Sequence, residues 1–397
     1  MKNLFLLSIF TAFNIFGQAP DPYKFDYSNT EPLEYDDSNS SDNTENYDSS
    51  ENYIIEDDLP QEYKRGFLNS GYSFFPIYER IDQNTTAAGI DFSYYFRRNG
   101  EPAKSSPNYL RTVFTAGQNQ YTNMGISFNN YWNNELNNAY ASFQYNRRWA
   151  YYYQISQDNP VLLGEYRASD FDLILSYRQR VFGNSYIGLR YNYEYNGMSD
   201  RTPFSVFSEQ AFIGLTGSSA SGLGIVLGNL PNENVYAPRS TFAYEISNMF
   251  YLTAFGSKSD FGKHTFDFRE YLGLFKNHTL ALQLYINFLS GTPTYRQLSS
   301  IGDLLRAYYH DKYLDYHMMV LRGEYRWMMF DRFMMTAFLG AGYHSNSIRK
   351  FKLNDYLPSY GAGFRYFLNS ELNSFARLEY FEGRGSRGFM FGIGDDF

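Results

Sequence analysis

Five histidines, His264, His278, His310, His317 and His344, are the only side chains in this 397-residue chain that ordinarily titrate near neutral pH, and cysteine is absent. The lack of cysteine removes disulfides, thiolate metal sites, thiol nucleophiles and the lipid-modified cysteine of a bacterial lipoprotein. His310-Asp311, and His344 with Asp355, fall in long polar connections where a surface hydrolase would work. General-base chemistry needs an oriented histidine with a nucleophile or a water in reach. No nucleophile motif accompanies these pairs, and metal-ligand clusters, phosphate loops and nucleic-acid signatures are missing. The expectation is therefore no enzyme activity, no cofactor, no metal and no nucleic-acid partner, with a surface hydrolase as the remote alternative.

A second group of residues carries charge at regular spacing. Leu305-Arg306-Ala307-Tyr308-Tyr309 lies in a polar stretch, 291–316, that precedes a strongly alternating segment, 317–329. There Met319, Leu321, Gly323, Tyr325, Trp327 and Met329 alternate with Val320, Arg322, Glu324 and Arg326. Successive strand side chains point to opposite faces, so one face is apolar and aromatic and the other charged. The same parity puts Arg190, Arg365 and Arg377, with Glu194 and Glu379, on the polar face of other strands.

The elements that must position these groups follow from composition. Aromatics make up 20 % of the chain, with 40 Tyr and 37 Phe, in a polar background of mean hydropathy -0.49. That combination suits strands with one side on an apolar phase and the other on water. Period-two strands recur to the last residue, and sixteen are expected. They are 86–97, 109–117, 121–131, 137–147, 149–157, 168–179, 184–196, 221–230, 240–252, 264–275, 278–290, 317–329, 333–343, 358–368, 374–383 and 387–397. Short turns alternate with long connections at 98–108, 197–220, 291–316 and 344–357. No apolar run reaches the roughly twenty residues of a helical span. In lipid the backbone must pair internally, which requires a closed sheet. The fold class is all-β, a 16-stranded antiparallel transmembrane β-barrel over 86–397.

Upstream, 1–18 reads as a signal peptide: Lys2, an apolar Leu4–Phe16, then Gly17-Gln18-Ala19. Residues 19–60 hold thirteen Asp/Glu and one Lys, so the overall charge of -8 belongs to this tract and the rest is mildly basic. It is too polar to bury a core and is expected to be a disordered acidic tail. Residues 61–85 read as a lead-in segment.

Six motifs, in order, resemble the barrel domain of the BamA/TamA/FhaC superfamily, also called the bacterial surface antigen family. Arg306, Ala307 and Tyr308 align with an Arg-Gly-Tyr/Phe loop tip, Tyr313 and Asp315 with an Arg-Tyr-Arg-Asp pattern, and Glu324-Tyr325-Arg326 with Glu-Tyr-Arg. Phe338-Leu339-Gly340-Ala341-Gly342 aligns with Phe-x-Asp-x-Gly, Ser359–Arg365 with the following strand, and Ser221–Gly224 plus Ala237-Pro238-Arg239 with the eighth strand and its turn. The resemblance covers about residues 64–397 and implies a sixth extracellular loop folded into the lumen. There is no room upstream for periplasmic POTRA repeats, which implies a POTRA-less branch. Two positions depart from the pattern: Ala307 replaces the loop glycine, and Gly340 replaces the aspartate that the loop arginine would meet. Arg306 is therefore expected to find another inward acid, Glu324 first, or to stay hydrated.

The resemblance further implies an outer-membrane location in a Gram-negative-type bacterium, with lipid, nascent outer-membrane or secreted proteins, and other assembly proteins as partners. Function would be protein insertion or translocation by strand templating at a lateral seam between the first and last strands. That seam is expected at Ile90 and Phe92 on one side and at Phe389, Phe391, Ile393 and Phe397 on the other. The lumen partners of the loop are expected to be Glu324, Arg326, Phe338, Gly340, Gly342 and Arg365. The alternative is a passive or accessory pore or partner-binding barrel.

Overall fold

The computed structural model describes residues 70–80, 86–96, 108–199, 214, 217–229, 240–330, 332–350, 355–369 and 374–393. The expected signal segment and acidic tail, Phe397 and the expected turn Ala237-Pro238-Arg239 lie outside them. Sixteen strands form one antiparallel sheet in strict sequence order: β1 (Ser70–Arg80), β2 (Thr86–Phe96), β3 (Asn108–Gly117), β4 (Thr122–Trp132), β5 (Asn137–Tyr153), β6 (Leu162–Phe182), β7 (Ser185–Ser199), β8 (Ser218–Asn229), β9 (Ser240–Tyr251), β10 (Phe261–Phe275), β11 (His278–Gly291), β14 (His317–Phe330), β15 (Phe333–Ser345), β16 (Leu357–Asn369), β17 (Ser374–Gly383) and β18 (Ser386–Ile393). Two short strands, β12 (Ser299–Ser300) and β13 (Leu314–Asp315), pair with each other inside the long connection after β11. No helix of the described residues is long and apolar enough to cross a membrane. The architecture is a sixteen-stranded β-barrel with one inserted loop.

The alternation that makes the strands also sorts the two faces. Along β5, Tyr140, Ser142, Gln144, Asn146, Arg148, Ala150 and Tyr152 are all buried on the inner side. On the outer side Tyr72, Phe74, Ile90, Phe92, Phe114, Ile126, Leu175, Leu189, Leu223, Phe250 and Leu321 are exposed, forming the apolar band a bilayer would cover. The fully buried Arg190, Arg365, Arg377, Glu324 and Glu379 all face inward. Hairpins close where the backbone takes positive φ, at Gly183 (φ 52), Asn277 (φ 65) and Gly385 (φ 70), residues that accept it at low cost.

Two strand assignments differ from expectation and offset each other in the count. The lead-in is a strand: Ser70–Arg80 pairs with β2 along its whole length. Pro76 hid it, because proline argues against a strand except at an edge, where β1 lies in the strand order. Conversely, the turn expected at Arg147 does not exist, since β5 runs unbroken through it and pairs with β6 from Asn137 to Tyr153. The basic pair Arg147-Arg148 mimics a solvated turn, but Arg148 points inward to a carboxylate. Strand parity shifts in consequence. The stretch 98–108 falls at the short-turn rim, and the connection at 292–316 is the sixth on the opposite rim. Strand length is uneven: β4 has 11 residues, whereas β5 has 17 and β6 has 21.

Candidate functional site

The chain after Gly291 (φ 76) turns back into the barrel instead of outward. Its short turns, Tyr295–Gln297 and Ile301–Asp303, bury Tyr295, Gln297 and Ile301. Two apolar clusters seat it. One joins Tyr295, Leu298 and Leu314 of the loop to Ala150, Tyr152, Tyr166 and Ala168 of β5 and β6. The other joins Ile301, Leu305, Ala307, Tyr308 and Tyr313 to Val320, Phe338, Leu357, Phe381 and Met390 of the C-terminal strands.

Arg306 sits at the centre of the second cluster. Its Nη2 donates to Glu324 Oε2 at 2.7 Å, and its Nε lies 3.2 Å from Glu379 Oε2. Its guanidinium carbon stands 4.1 Å from the centre of the Phe338 ring, a cation–π contact in a desolvated site. The acids are shared. Arg365 Nη2 donates to Glu324 Oε2 at 2.8 Å and to Glu379 Oε1 at 3.1 Å, and Arg326 Nε donates to Glu324 Oε1 at 2.8 Å. The structure thus brings together Arg306, Glu324, Arg326, Phe338 and Arg365, and it adds Glu379. A buried arginine without a counter-charge would be costly, and these two glutamates remove that cost.

Gly340 and Gly342 take part through absence of a side chain. A Cβ on Gly340 would come within 2.8 Å of Leu305 Cδ2, and one on Gly342 within 2.9 Å of Leu305 Cδ1 and 3.0 Å of Ile301 Cγ2. Where the resembling family has an aspartate, this chain has room for Leu305, and the acid has moved one strand away to Glu324. Ala307 is accommodated similarly: its Cβ would meet a Cβ on Gly383 at 2.7 Å. The Tyr308 hydroxyl donates to Pro358 O at 2.6 Å and accepts from Arg384 N at 3.0 Å, while burial pushes its pKa up to about 12.

A second polar anchor was not read from the sequence. Arg296 Nη2 donates to Asp170 Oδ2 at 2.7 Å, and its Nη1 to Tyr166 Oη at 3.1 Å and Asp311 Oδ1 at 3.2 Å. Arg148 closes on Asp311 with two bonds, at 2.8 and 3.1 Å. Burial alone would raise the Asp311 carboxyl, but Arg148 and Arg296 hold it well below the usual carboxylate range. The signal was inward parity at Arg148 and Asp170, and the turn placed at Arg147 erased half of it.

The histidine pairings differ from those expected. His310 Nδ1 bonds Asp303, while its Nε2 lies 4.0 Å from Asp311. His344 Nδ1 meets Asp315 Oδ2 at 3.1 Å, and Asp355 pairs with Arg384 at 3.2 Å instead. These histidines brace the loop. Among the described residues no group of three or more His, Asp or Glu could hold a metal ion.

The seam residues also move. Ile90 and Phe92 lie on the second strand, opposite Pro76 and Phe74, so the N-terminal edge belongs to Ser70–Arg80. Phe389 and Phe391 are on β18 and face outward at 45 % and 42 % exposure. Ile393 ends that strand opposite Ala376. The register pairs join neighbours from β1 through β18, and no β1–β18 pair occurs among the described residues.

No family model and no curated protein matches the chain. Solved structures do. The crystal structure of BamA from Haemophilus ducreyi lacking POTRA domains 1–3 superposes with a TM-score of 0.50 at 12 % identity, over 82 % of this chain and 69 % of that one. CdiB from Acinetobacter baumannii matches with a TM-score of 0.50 at 10 % identity, over 82 % of this chain and 58 % of its own, so the present chain spans little more than half of CdiB. This chain shares its barrel fold with these two structures.

Proposed function

We propose that the chain works in the outer membrane of a Gram-negative-type bacterium as an insertase- or translocase-type barrel, templating strands of client proteins at the edges of β1 and β18. The observation that carries this reading is the inserted loop. An arginine at its tip is held by Glu324 and Glu379 against Phe338, so the loop is anchored inside the barrel, which favours work at an edge over free passage through the lumen. The edge strands suit exchange. Pro76 in β1 supplies no N–H, and Gly388 and Gly392 in β18 add no packing and lose more entropy on ordering. An incoming strand would gain main-chain hydrogen bonds there, as in other strand-addition complexes.

Depletion of the protein tests this directly. The abundance of other outer-membrane proteins should fall, and photocrosslinkers at Phe74 and Phe389 should capture nascent clients. Unchanged outer-membrane composition with the barrel fully depleted defeats the reading. Deleting 296–312 separates it from a pore: a large rise in planar-bilayer conductance is expected from an unplugged lumen, whereas an intact barrel that already conducts equally would support passive diffusion.

A further inference from the structure

The lipid-facing wall of β9, β10 and β11 carries a hydrogen-bonded trio that the loop and the seam do not use. Asn248, His264 and Ser290 all point outward, among Ile246, Phe250, Phe266 and Phe288. His264 lies directly across from Asn248 in the β9–β10 register, and Ser290 lies across from Gly262 in the β10–β11 register. His264 Nδ1 is 3.0 Å from Asn248 Oδ1, and His264 Nε2 is 3.2 Å from Ser290 Oγ.

The partners fix the tautomer. An amide oxygen can only accept, so Nδ1 carries the proton and Nε2 is left with its lone pair facing the serine hydroxyl. In that tautomer Ser290 Oγ donates to Nε2 of a ring whose far nitrogen is held by a third residue. That order of nucleophile, base and orienting group is the arrangement acyl-transfer hydrolases use, recognised by geometry and not by chain position. His310 and His344 differ, because each spends Nδ1 on a carboxylate of the loop.

Gly262 supplies a second observation. A Cβ there would come within 2.6 Å of Ser290 Oγ and 2.8 Å of His264 Nε2, so only glycine leaves the space beneath the nucleophile and the base open. Phe250, 52 % exposed, packs its ring edge-on to His264 at 5.8 Å and limits how the imidazole can turn. Ser290 is the penultimate residue of β11, at the long-loop rim. At that height the wall passes from hydrocarbon to headgroup, where the carboxylic esters of membrane lipids lie.

We propose that Ser290, His264 and Asn248 form an acyl-ester hydrolase site on the outer wall of the barrel, with a membrane lipid ester as substrate. Ser290 Oγ bonds to the ester carbonyl carbon as its proton passes to His264 Nε2. The carbon–oxygen bond to the leaving alcohol breaks, and His264 returns the proton to that oxygen. Water then adds to the acyl-serine, giving one proton to His264 Nε2. The acyl–Oγ bond breaks, a free carboxylic acid departs, and Ser290 recovers the proton. Asn248 is a positioning residue that holds the ring in the productive tautomer.

The test uses the full chain folded into phospholipid vesicles, with folding checked by the heat-shift of barrel mobility on gels. A fluorophosphonate probe is expected to label Ser290 and to leave Ser290→Ala unlabelled. Release of a fluorescent fatty acid from an ester-linked phospholipid in the vesicles should fall about 10²–10⁴-fold in His264→Ala, the usual contribution of a general base. Asn248→Ala should lower kcat with KM unchanged, and Asn248→Asp should restore it. Gly262→Ala should lose labelling while the heat-shift persists. Folded wild type that labels and hydrolyses no more than Ser290→Ala overturns the site. Turnover of soluble p-nitrophenyl butyrate without lipid release overturns the lipid assignment.

Discussion

Two walls of the barrel hold the inserted loop, and their charge balance differs. On the β5–β6 wall two arginines, Arg148 and Arg296, meet two aspartates, Asp170 and Asp311. On the C-terminal wall three arginines, Arg306, Arg326 and Arg365, share Glu324 and Glu379. The first is a balanced cluster in which each acid sees its own strong donor. The second is cation-rich, so each glutamate does more and its loss leaves more buried charge exposed. Balanced pairs fix where a loop lies, whereas a cation-rich cluster makes the loop's seat depend on one or two acids.

Removing an acid from the cation-rich wall should therefore cost most. Glu324→Gln strips three arginines of a shared partner, and breaking buried ion pairs in this way costs about 3–5 kcal/mol. A lowered urea midpoint of the vesicle-embedded barrel measures it, and Asp170→Asn, which leaves Arg296 its contact with Asp311, should move that midpoint less. Equal shifts would erase the distinction between the walls.

Arg296→Ala and Arg306→Ala ask whether the walls act separately. Each should raise protease cleavage within 292–316. Because they lie in different clusters, the double variant's stability change should equal the sum within about 0.5 kcal/mol. A larger deviation, read from the same midpoints, would mean that the loop docks as one unit.

Gly340→Asp restores the acid of the resembling family and should nevertheless destabilise, by about 1–3 kcal/mol, because its Cβ invades the space of Leu305. Pairing it with Leu305→Ala should recover much of the loss, and a stabilised single variant would refute the packing account.

The smallest effect is pH-dependent. His310 in the loop is desolvated, which lowers its pKa, but the Asp303 carboxylate more than offsets this and the net shift is upward. A raised folded-state pKa gives stability that is fully present below the unfolded value of about 6.5 and is lost as pH rises through the folded value. The pair is about one-third exposed, so solvent screening keeps the contribution small. Loop protease resistance should decline slightly on that alkaline limb, and His310→Ala should flatten the trend.

Much of this was legible in the sequence because strand alternation is a local property. Parity placed Glu324, Arg326, Arg365 and Glu379 in the lumen, and the loop motif pointed to Arg306 with Glu324 as its first candidate acid. The β5–β6 anchor was not legible because one false turn at Arg147 removed Arg148 from any face. The first strand of the order lies one strand earlier than expected because proline discourages strand assignment, yet an edge tolerates it. His264, Ser290 and Asn248 stayed hidden for a different reason: their proximity comes from the cross-strand register of three strands, which no local pattern encodes.

The uneven strands carry a last consequence, for the bilayer. At about 3.3 Å per residue and a tilt near 40°, the 11 residues of β4 rise roughly 28 Å, close to an apolar band of about 25 Å, whereas the 21 of β6 rise roughly 53 Å. The β5–β6 side thus stands as a parapet well clear of the lipid, while the β4 side is only as tall as the membrane is thick. Hydrophobic mismatch around such a rim is lopsided. A lipid annulus around the protein would meet little spare apolar height at β4, so a thicker bilayer strains that flank sooner than the β5–β6 flank.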